Sequence, residues 1–433
     1  MSDREAPDCP SRRASSGSRQ RTSRAGAAAL VFASAAIATA AIAAAQESWH
    51  GVLHEHPAIQ YLTRSTTDRV GALARAIGDG ARTLERDPRT GYLRPILDAL
   101  GVSVESQLLV FSRTGVQQAH TSPHTPRALF FNRSVVVGYI PGAPMIEIAS
   151  HDPQQGVVFY TVDQSASRPV FTRQTMCLTC HVSASTLEVP GVIARSNAVD
   201  DEGNVLPQLG SNDVTHETVH PDRWGGWFVT SEGVPAPYNQ RAHEGNITFS
   251  AKGNTSSQVF IDWINSDPDA RGYLSAQSDI VSLLVFDHQM HAINLLTRLN
   301  WESRIGAARE VERLATELAD YLLFTGEVPP SVPLVALPGF ARDLASAAPA
   351  DHLGRSCAQL DLDRRLMRYP CSYMVYSDAF DALPAAVKQA IYARMLERLS
   401  TEDVRRAPQV RLTADDRKAV LEILRETKPD FPR

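Results

Sequence analysis

The 433-residue chain is long enough to bury a sizeable core and to form two or three domains. Hydrophobic residues make up 43% of it and charged residues 21%, a balance that excludes wholesale disorder and a polytopic membrane protein. The net charge of −5 leaves no basic excess to neutralise phosphates, so no nucleic-acid partner is expected.

The first 45 residues have the pattern of an export signal. Residues 1–24 are polar and arginine-rich, and residues 25–45 form an uncharged, alanine-rich run that ends in three alanines. This order is typical of a secretory signal peptide, although the apolar run is also long enough to span a bilayer. We predict either cleavage near Ala45 or retention as an inner-membrane anchor. Both place residues 46–433 in the periplasm, and membrane contact is expected only if the segment is retained.

The remaining chain predicts an α+β fold. Residues 46–65 look like an extended linker, and residues 66–276 like a mixed region in which helices at 66–86 and 92–101 precede short strands. These strands are rich in β-branched and aromatic residues, and we expect them to form a small antiparallel sheet around the feature described next. The predicted strands are 108–111, 134–137, 145–148, 157–161, 191–195, 226–230 and 247–250.

Residues 277–433 are predicted to be mainly helical and to pack on the mixed region. The longest helix spans 277–301, with Ser278 as its N-cap. Further helices are predicted at 307–324, 384–400 and 414–427, the last with an apolar stripe.

The pentapeptide Cys177-Leu178-Thr179-Cys180-His181 is the sequence signature of covalent c-type heme attachment. Two thiols separated by two residues match the two heme vinyl groups, to which they add. The adjacent histidine then lies under the iron as its proximal ligand. We therefore predict one covalent heme c, held by Cys177 and Cys180 with His181 on the iron.

Two other interpretations of the motif have less support from the sequence. A structural zinc site needs four ligands, usually including a second close pair, and the other cysteines of the exported chain are Cys357 and Cys371, far away in sequence. A thioredoxin-like dithiol needs a βαβ setting, which the surrounding pattern lacks. Since an exported chain meets an oxidising compartment, we predict a Cys357–Cys371 disulfide, with two buried thiols as the alternative.

The motif, together with the export signal, resembles the c-type cytochrome superfamily. The wider chain also resembles poorly characterised bacterial proteins with a single Cys-x-x-Cys-His, described only as cytochrome c domain-containing. The resemblance implies covalent heme at the motif and implies no substrate. Strand and loop, rather than the helix of a minimal cytochrome c, precede Cys177, so we expect the heme to be embedded in a larger fold. The stretches that carry the resemblance are 131–138, 152–156, 177–181, 223–227 and 368–372.

The sixth iron ligand decides what such a heme does. His288 and His291 share one apolar face of the predicted helix, so either is a candidate, with a hydrogen-bonded core histidine as the alternative. His216, in a polar loop, is the runner-up. Other possibilities are a buried methionine (Met290, Met367 or Met374) and an open or water-filled position.

Two classes of function follow from these features. The first is a mono-heme electron carrier that exchanges single electrons with a redox partner protein in the periplasm. The second is a heme enzyme or gas-binding sensor with an exchangeable sixth ligand. The chain is larger than electron carriage alone requires, so the second class stays open.

Overall fold

The computed structural model describes residues 51–230, 272–400 and 412–433, and its fold is α+β, as the sequence predicts. The described strands are β1 (Leu108–Val110), β2 (Arg127–Phe131), β3 (Val135–Tyr139), β4 (Met145–Asp152), β5 (Gly156–Asp163), β6 (Phe171–Arg173), β7 (Arg195–Asn197), β8 (Ser211–Asp213) and β9 (Trp227–Phe228). The described α-helices are α1 (Arg69–Gly78), α2 (Leu93–Leu100), α3 (Leu178–His181), α4 (Ile280–Ile305), α5 (Ala308–Leu322), α6 (Pro338–Ala345), α7 (Asp378–Asp381), α8 (Ala385–Ser400) and α9 (Ala414–Thr427).

Seven strands form one antiparallel sheet in the order β6-β5-β4-β3-β2-β1-β9, and β7 pairs with β8 in a separate ribbon. The long hairpin of β4 and β5 is closed at Asp152, whose carboxylate accepts hydrogen bonds from the backbone N–H groups of Gln154 and Gln155. Gly156 completes this turn with a φ of 78°, which favours glycine. The turn therefore sets the register of the two strands that lie nearest the cysteine motif.

The two faces of the main sheet have different surroundings. One face, which we call the helix face, includes Ile148 and its cross-strand neighbour Tyr160, both buried. The Tyr160 hydroxyl donates to Asp68, the N-cap of α1, so this face lies under the N-terminal helices. The other face, which we call the motif face, includes Ala149, which is partly buried, and its cross-strand neighbour Phe159, which is buried.

The 26-residue helix α4 is the central element of the C-terminal half, and nearly all of its residues are buried. The N-cap of α4 is Asp279, whose side chain accepts a hydrogen bond from the Ser282 N–H. The prediction that Ser278 is the N-cap is therefore wrong. Ser278 instead accepts from the Leu109 N–H and donates to the Phe228 carbonyl, linking α4 to β1 and β9. Helix α5 packs on both α4 and α8.

Most predicted elements are confirmed, with shifted ends. The strands predicted at 108–111, 134–137, 145–148 and 157–161 correspond to β1, β3, β4 and β5. The helix predicted at 66–86 stops at Gly78, because Asp79 and Gly80 begin a turn. The strand predicted at 191–195 is reduced to the short β7, and 247–250 lies outside the described residues.

The predicted linker at 46–65 is wrong over much of its length. Ile59 and Tyr61 are buried in the core, and the Tyr61 hydroxyl donates to the Val157 carbonyl at 2.8 Å. Two large apolar side chains therefore tie this segment to β5. The predicted export signal at 1–45 lies outside the described residues, and within them no helix is long and apolar enough to cross a membrane.

The predicted Cys357–Cys371 disulfide is also not formed. Both residues are fully buried free thiols, and their side chains are hydrogen-bonded to each other. This arrangement corresponds to the alternative that the sequence left open, a pair of core thiols.

Candidate functional site

The cysteine motif forms a single turn at the edge of the motif face. The N–H groups of Cys180 and His181 both donate to the Cys177 carbonyl, which folds the pentapeptide into the one-turn helix α3. Leu178 is buried and anchors the turn. Cys180 is exposed and Cys177 partly buried, so both thiols lie near the surface, on one side of a short, anchored turn.

The His181 ring has one nitrogen engaged and one available. Nδ1 lies 2.8 Å from the Gly191 carbonyl, to which it donates, and the Gly191 N–H donates back to the His181 carbonyl. Within the described residues Nε2 has no hydrogen-bond partner. An imidazole held through Nδ1–H by a carbonyl has a fixed tautomer that presents the Nε2 lone pair to a metal.

Burial sets the protonation of the motif. It lowers the pKa of His181, and the Gly191 hydrogen bond and the Glu147 carboxylate oppose this only in part, so the ring is neutral at pH 7. Burial raises the pKa of the Cys177 thiol, and the charge of Glu147 adds to the effect. At the site, Cys177 is therefore a protonated thiol and His181 a neutral imidazole, the forms from which addition to a vinyl group and binding of iron start.

The loop after the motif is clamped to the core at Gly191. A Cβ at this position would lie 2.2 Å from Oδ1 of Asn294 on α4, so only glycine fits. The Asn294 side chain also donates to the Val192 carbonyl at 3.0 Å. The carbonyl that orients His181 is thus fixed by the central helix, a condition for a well-placed metal ligand.

These residues fit a covalent heme better than the two rival groups. Across the described ranges, the only cluster of candidate metal ligands is Asp351, His352 and Glu426, which does not include the motif. A zinc ion at the motif would therefore lack further ligands there. A thioredoxin-like arrangement is also not seen, because the motif follows an edge strand and starts a helix of one turn.

His216 and His288 lie together in the core, joined by a hydrogen bond of 2.8 Å between their Nδ1 atoms. The Ser372 hydroxyl lies 2.7 Å from His288 Nε2, and His216 Nε2 lies 3.2 Å from the Thr325 carbonyl. Because a carbonyl only accepts, the donors run in one direction along the chain, from Ser372 through His288 and His216 to Thr325. Both rings are neutral in this order. We call these four residues the histidine relay.

Burial maintains that neutral state. It lowers the pKa of His216 to about 3 and that of His288 well below its ordinary value. Tyr321 and Phe324 stack against the relay: the His216 ring centroid is 4.1 Å from that of Tyr321, and the His288 centroid 4.3 Å from that of Phe324. The relay is therefore a closed, satisfied part of the core.

The relay argues against His288 and His216 as the sixth iron ligand, because each ring has both nitrogens hydrogen-bonded. Met290, Met367 and Met374 are likewise buried among core side chains. His291 stays a candidate. It is only partly buried, it packs edge-on against Tyr321, and in the described part of the chain its ring nitrogens make no hydrogen bond.

A buried ion pair lies beside the relay. Arg223 and Asp287 approach to 3.6 Å and are both almost completely buried, and the Trp224 indole N–H donates to the same carboxylate at 2.9 Å. Arg223 also donates to the His216 carbonyl. Burial raises the pKa of Asp287 to about 7 despite these partners. Trp224 and Trp227 are both buried core aromatics.

The sequence missed two residues of the motif's surroundings. Phe159 of β5 packs against the His181 ring, with their centroids 4.7 Å apart, and Gly191 orients that ring. Gly191 lies ten residues after His181 and follows Pro190, and a Pro-Gly pair of this kind predicts a turn. Nothing in the local pattern around Phe159 distinguishes it from any other strand residue.

Comparison with known proteins gives no family assignment. The chain matches no protein-family model, no curated protein and no solved structure. The heme hypothesis therefore depends on the motif and on the geometry around it, and the resemblance to c-type cytochromes stays a prediction.

Proposed function

We propose that this protein is an exported c-type cytochrome that carries one covalent heme and transfers single electrons between periplasmic redox partners. Cys177 and Cys180 hold the heme, each sulfur bonding to a vinyl carbon while the thiol hydrogen goes to the adjacent vinyl carbon. His181 binds the iron through Nε2. When bound, the heme supplies a one-electron couple.

One observation carries this proposal. The His181 ring is neutral and is held through Nδ1 by the Gly191 carbonyl, and within the residues that the structure describes its Nε2 makes no hydrogen bond; of the two motif thiols, Cys180 is exposed and Cys177 partly buried. Each of these features is required of a proximal heme ligand, and an ordinary surface histidine needs none of them.

A second candidate function is supported by the histidine relay. Both ring nitrogens of His288 and of His216 are hydrogen-bonded, whereas the ring of the third predicted distal histidine, His291, makes no hydrogen bond to any of the described residues. If His291 also stays away from the iron, the sixth position is exchangeable. The protein would then bind a small ligand at the iron, as a sensor or an enzyme does.

Visible spectra separate the two functions. The full chain is produced in a bacterial host that attaches heme c in its periplasm, and spectra are recorded in the ferric form, in the ferrous form and with carbon monoxide. We expect a low-spin ferrous spectrum that carbon monoxide leaves unchanged, as two strong ligands require. A carbon monoxide shift in the unmodified protein would instead favour the exchangeable site.

A histidine variant identifies the ligand. With His291 as sixth ligand, His291→Ala gains carbon monoxide sensitivity, whereas the matched change His352→Ala, at an exposed histidine paired with Glu426, leaves the spectra unchanged. A His291→Ala spectrum identical to that of the unmodified protein would exclude His291 from the iron.

A further inference from the structure

A cavity of about 590 Å³ is lined by residues of α2, the β2–β3 turn, α4 and α6. This volume falls within the range of pockets that hold small organic molecules. None of the described lining residues belongs to the cysteine motif or to the histidine relay. The cavity is therefore a candidate site for a second ligand, separate from the heme. We call it the arginine cavity, after Arg133 in its lining.

Apolar side chains form part of the wall of the arginine cavity. Phe340 and Leu344 lie one turn apart on α6, Phe131 ends β2, and all three are buried. The ring centroids of Phe131 and Phe340 are 6.0 Å apart. Leu97 and Val102 add two more buried aliphatic side chains from α2 and the segment after it. An aromatic or aliphatic group that enters the cavity would therefore contact an apolar wall.

Arg133 supplies a fixed cation to this cavity. Its side chain comes from the β2–β3 turn, and the residue is partly buried. Nη1 donates to the Ala347 carbonyl at 2.6 Å and to the Tyr376 carbonyl at 3.0 Å, whereas Nε and Nη2 make no hydrogen bond to any residue that the structure describes. Because the guanidinium is planar, the two carbonyls fix its plane and leave the Nε–Nη2 edge available for a two-point contact with a carboxylate.

The charges around the arginine cavity leave Arg133 without a counter-charge. Each of the other charged lining residues has an oppositely charged neighbour: Asp98 with Arg94 at 3.4 Å, Asp343 with Arg342 at 3.8 Å, and Arg69 with Asp378 at 3.8 Å. Arg133 forms no ion pair with any residue in the described part of the chain. A partly buried cation has lost some of its hydration, so an anion that reaches it is stabilised more than at an exposed arginine.

The three buried polar residues of the lining are hydrogen-bonded within the protein itself. The Tyr373 hydroxyl donates to Gln289 Oε1 at 2.8 Å, and Gln289 Nε2 donates to the Asn132 carbonyl at 2.6 Å. The Ser106 hydroxyl both donates and accepts within the fold. None of these groups therefore requires a partner from a ligand. The ligand needs one acceptor group, at Arg133.

We propose that the arginine cavity binds a small organic monocarboxylate, whose carboxylate pairs with Nε and Nη2 of Arg133 and whose apolar body lies against Phe131 and Phe340. A single cation without a counter-charge matches one negative charge, and the mixed lining matches a molecule with one charged end and one apolar end. This site goes beyond the proposed electron transfer and does not depend on the heme.

The first test uses the unmodified full-length protein and isothermal titration calorimetry. The probes are phenylacetate, 3-phenylpropanoate, hexanoate and decanoate, each paired with its neutral amide. We expect at least one carboxylate to bind with a Kd of about 1 mM or tighter, and its amide to bind about tenfold more weakly, since the amide lacks the charge that Arg133 recognises. The proposal is overturned if no carboxylate binds at this level, or if the carboxylate and its amide bind equally well.

The second test places the ligand in the cavity. Arg133→Gln should lower the affinity for the carboxylate to that for its amide, whereas Arg168→Gln, the same charge change at an exposed arginine, should leave both affinities unchanged. Leu344→Trp fills the cavity and should abolish binding of both molecules, whereas Leu353→Trp, at an exposed leucine, should not. Far-ultraviolet circular dichroism confirms that each variant is folded. Undiminished carboxylate binding by folded Arg133→Gln or folded Leu344→Trp would show that the carboxylate does not bind in this cavity.

Discussion

Replacing Cys177 and Cys180 together by alanine should abolish covalent heme attachment completely. In the proposed attachment, the two thiols are the only groups of the motif that bond to the vinyl carbons, so no heme should stay on the polypeptide after denaturation and extraction with acidified acetone. The fold should persist, because Cys180 is exposed and Cys177 only partly buried. The measurement is the heme absorbance that stays with the denatured polypeptide, relative to the unmodified protein.

Cys357→Ala is the matched control, since it removes a thiol that is buried in the core, hydrogen-bonded to Cys371. It should reduce stability by roughly 1–2 kcal/mol as a small core truncation, while full covalent heme is retained. Heme retained by the double alanine variant, or lost from Cys357→Ala, would show that the motif does not hold the heme.

The largest expected effect on stability comes from His288→Leu. The substitution leaves the Ser372 hydroxyl hydrogen without an acceptor and His216 Nδ1 without a donor in a fully buried site, while Ser372 Oγ still accepts from the Met374 N–H. Each orphaned group costs about 1–3 kcal/mol, so we expect the free energy of unfolding to fall by roughly 3 kcal/mol at pH 7. Urea unfolding followed by circular dichroism measures this loss.

The same variant should show a distinct pH dependence. The folded pKa of His288 lies well below the ordinary 6.5, so its contribution to stability is full above pH 6.5 and is lost as the pH falls toward the folded value. The unmodified protein therefore loses stability from this residue as the pH falls from 7 to 5, and His288→Leu does not.

The difference in the free energy of unfolding between the unmodified protein and His288→Leu should accordingly be smaller at pH 5 than at pH 7. His124→Leu, at an exposed histidine, should change stability by less than about 0.5 kcal/mol at either pH. A constant difference between His288→Leu and the unmodified protein would mean that His288 is not buried as a neutral ring.

The elements that the sequence predicts well are those with a strong local pattern. The β-branched runs of β3 and β5 and the apolar helix α4 are recognisable because burial on both sides requires continuous apolar residues. The strand β4 is recognisable because partly buried and buried residues alternate along its first half. The sequence analysis did not predict β2, because this strand begins with a charged residue, Arg127. The Arg127 side chain is accommodated by a hydrogen bond to the Thr114 carbonyl and by the nearby Glu147 carboxylate. Such partners are distant along the chain and leave no local signal.

The histidines illustrate the same limit at the candidate site. The sequence correctly predicts that His288 faces the core, because the 3.6-residue period fixes its side of the helix. The sequence does not predict which groups hydrogen-bond to the His288 ring, because these partners, His216 and Ser372, lie 72 and 84 residues away along the chain. The cysteine motif could be recognised from the sequence because its two thiols and its imidazole lie within five consecutive residues.

Covalent heme attachment is tested most directly by the intact mass of the full-length chain matured in a periplasm that attaches heme c, measured under denaturing conditions. We expect a single species heavier than the polypeptide by one heme, with the added mass on the peptide that contains Cys177 and Cys180. A polypeptide with no added mass, from a host that attaches heme to a control cytochrome in the same culture, would contradict it.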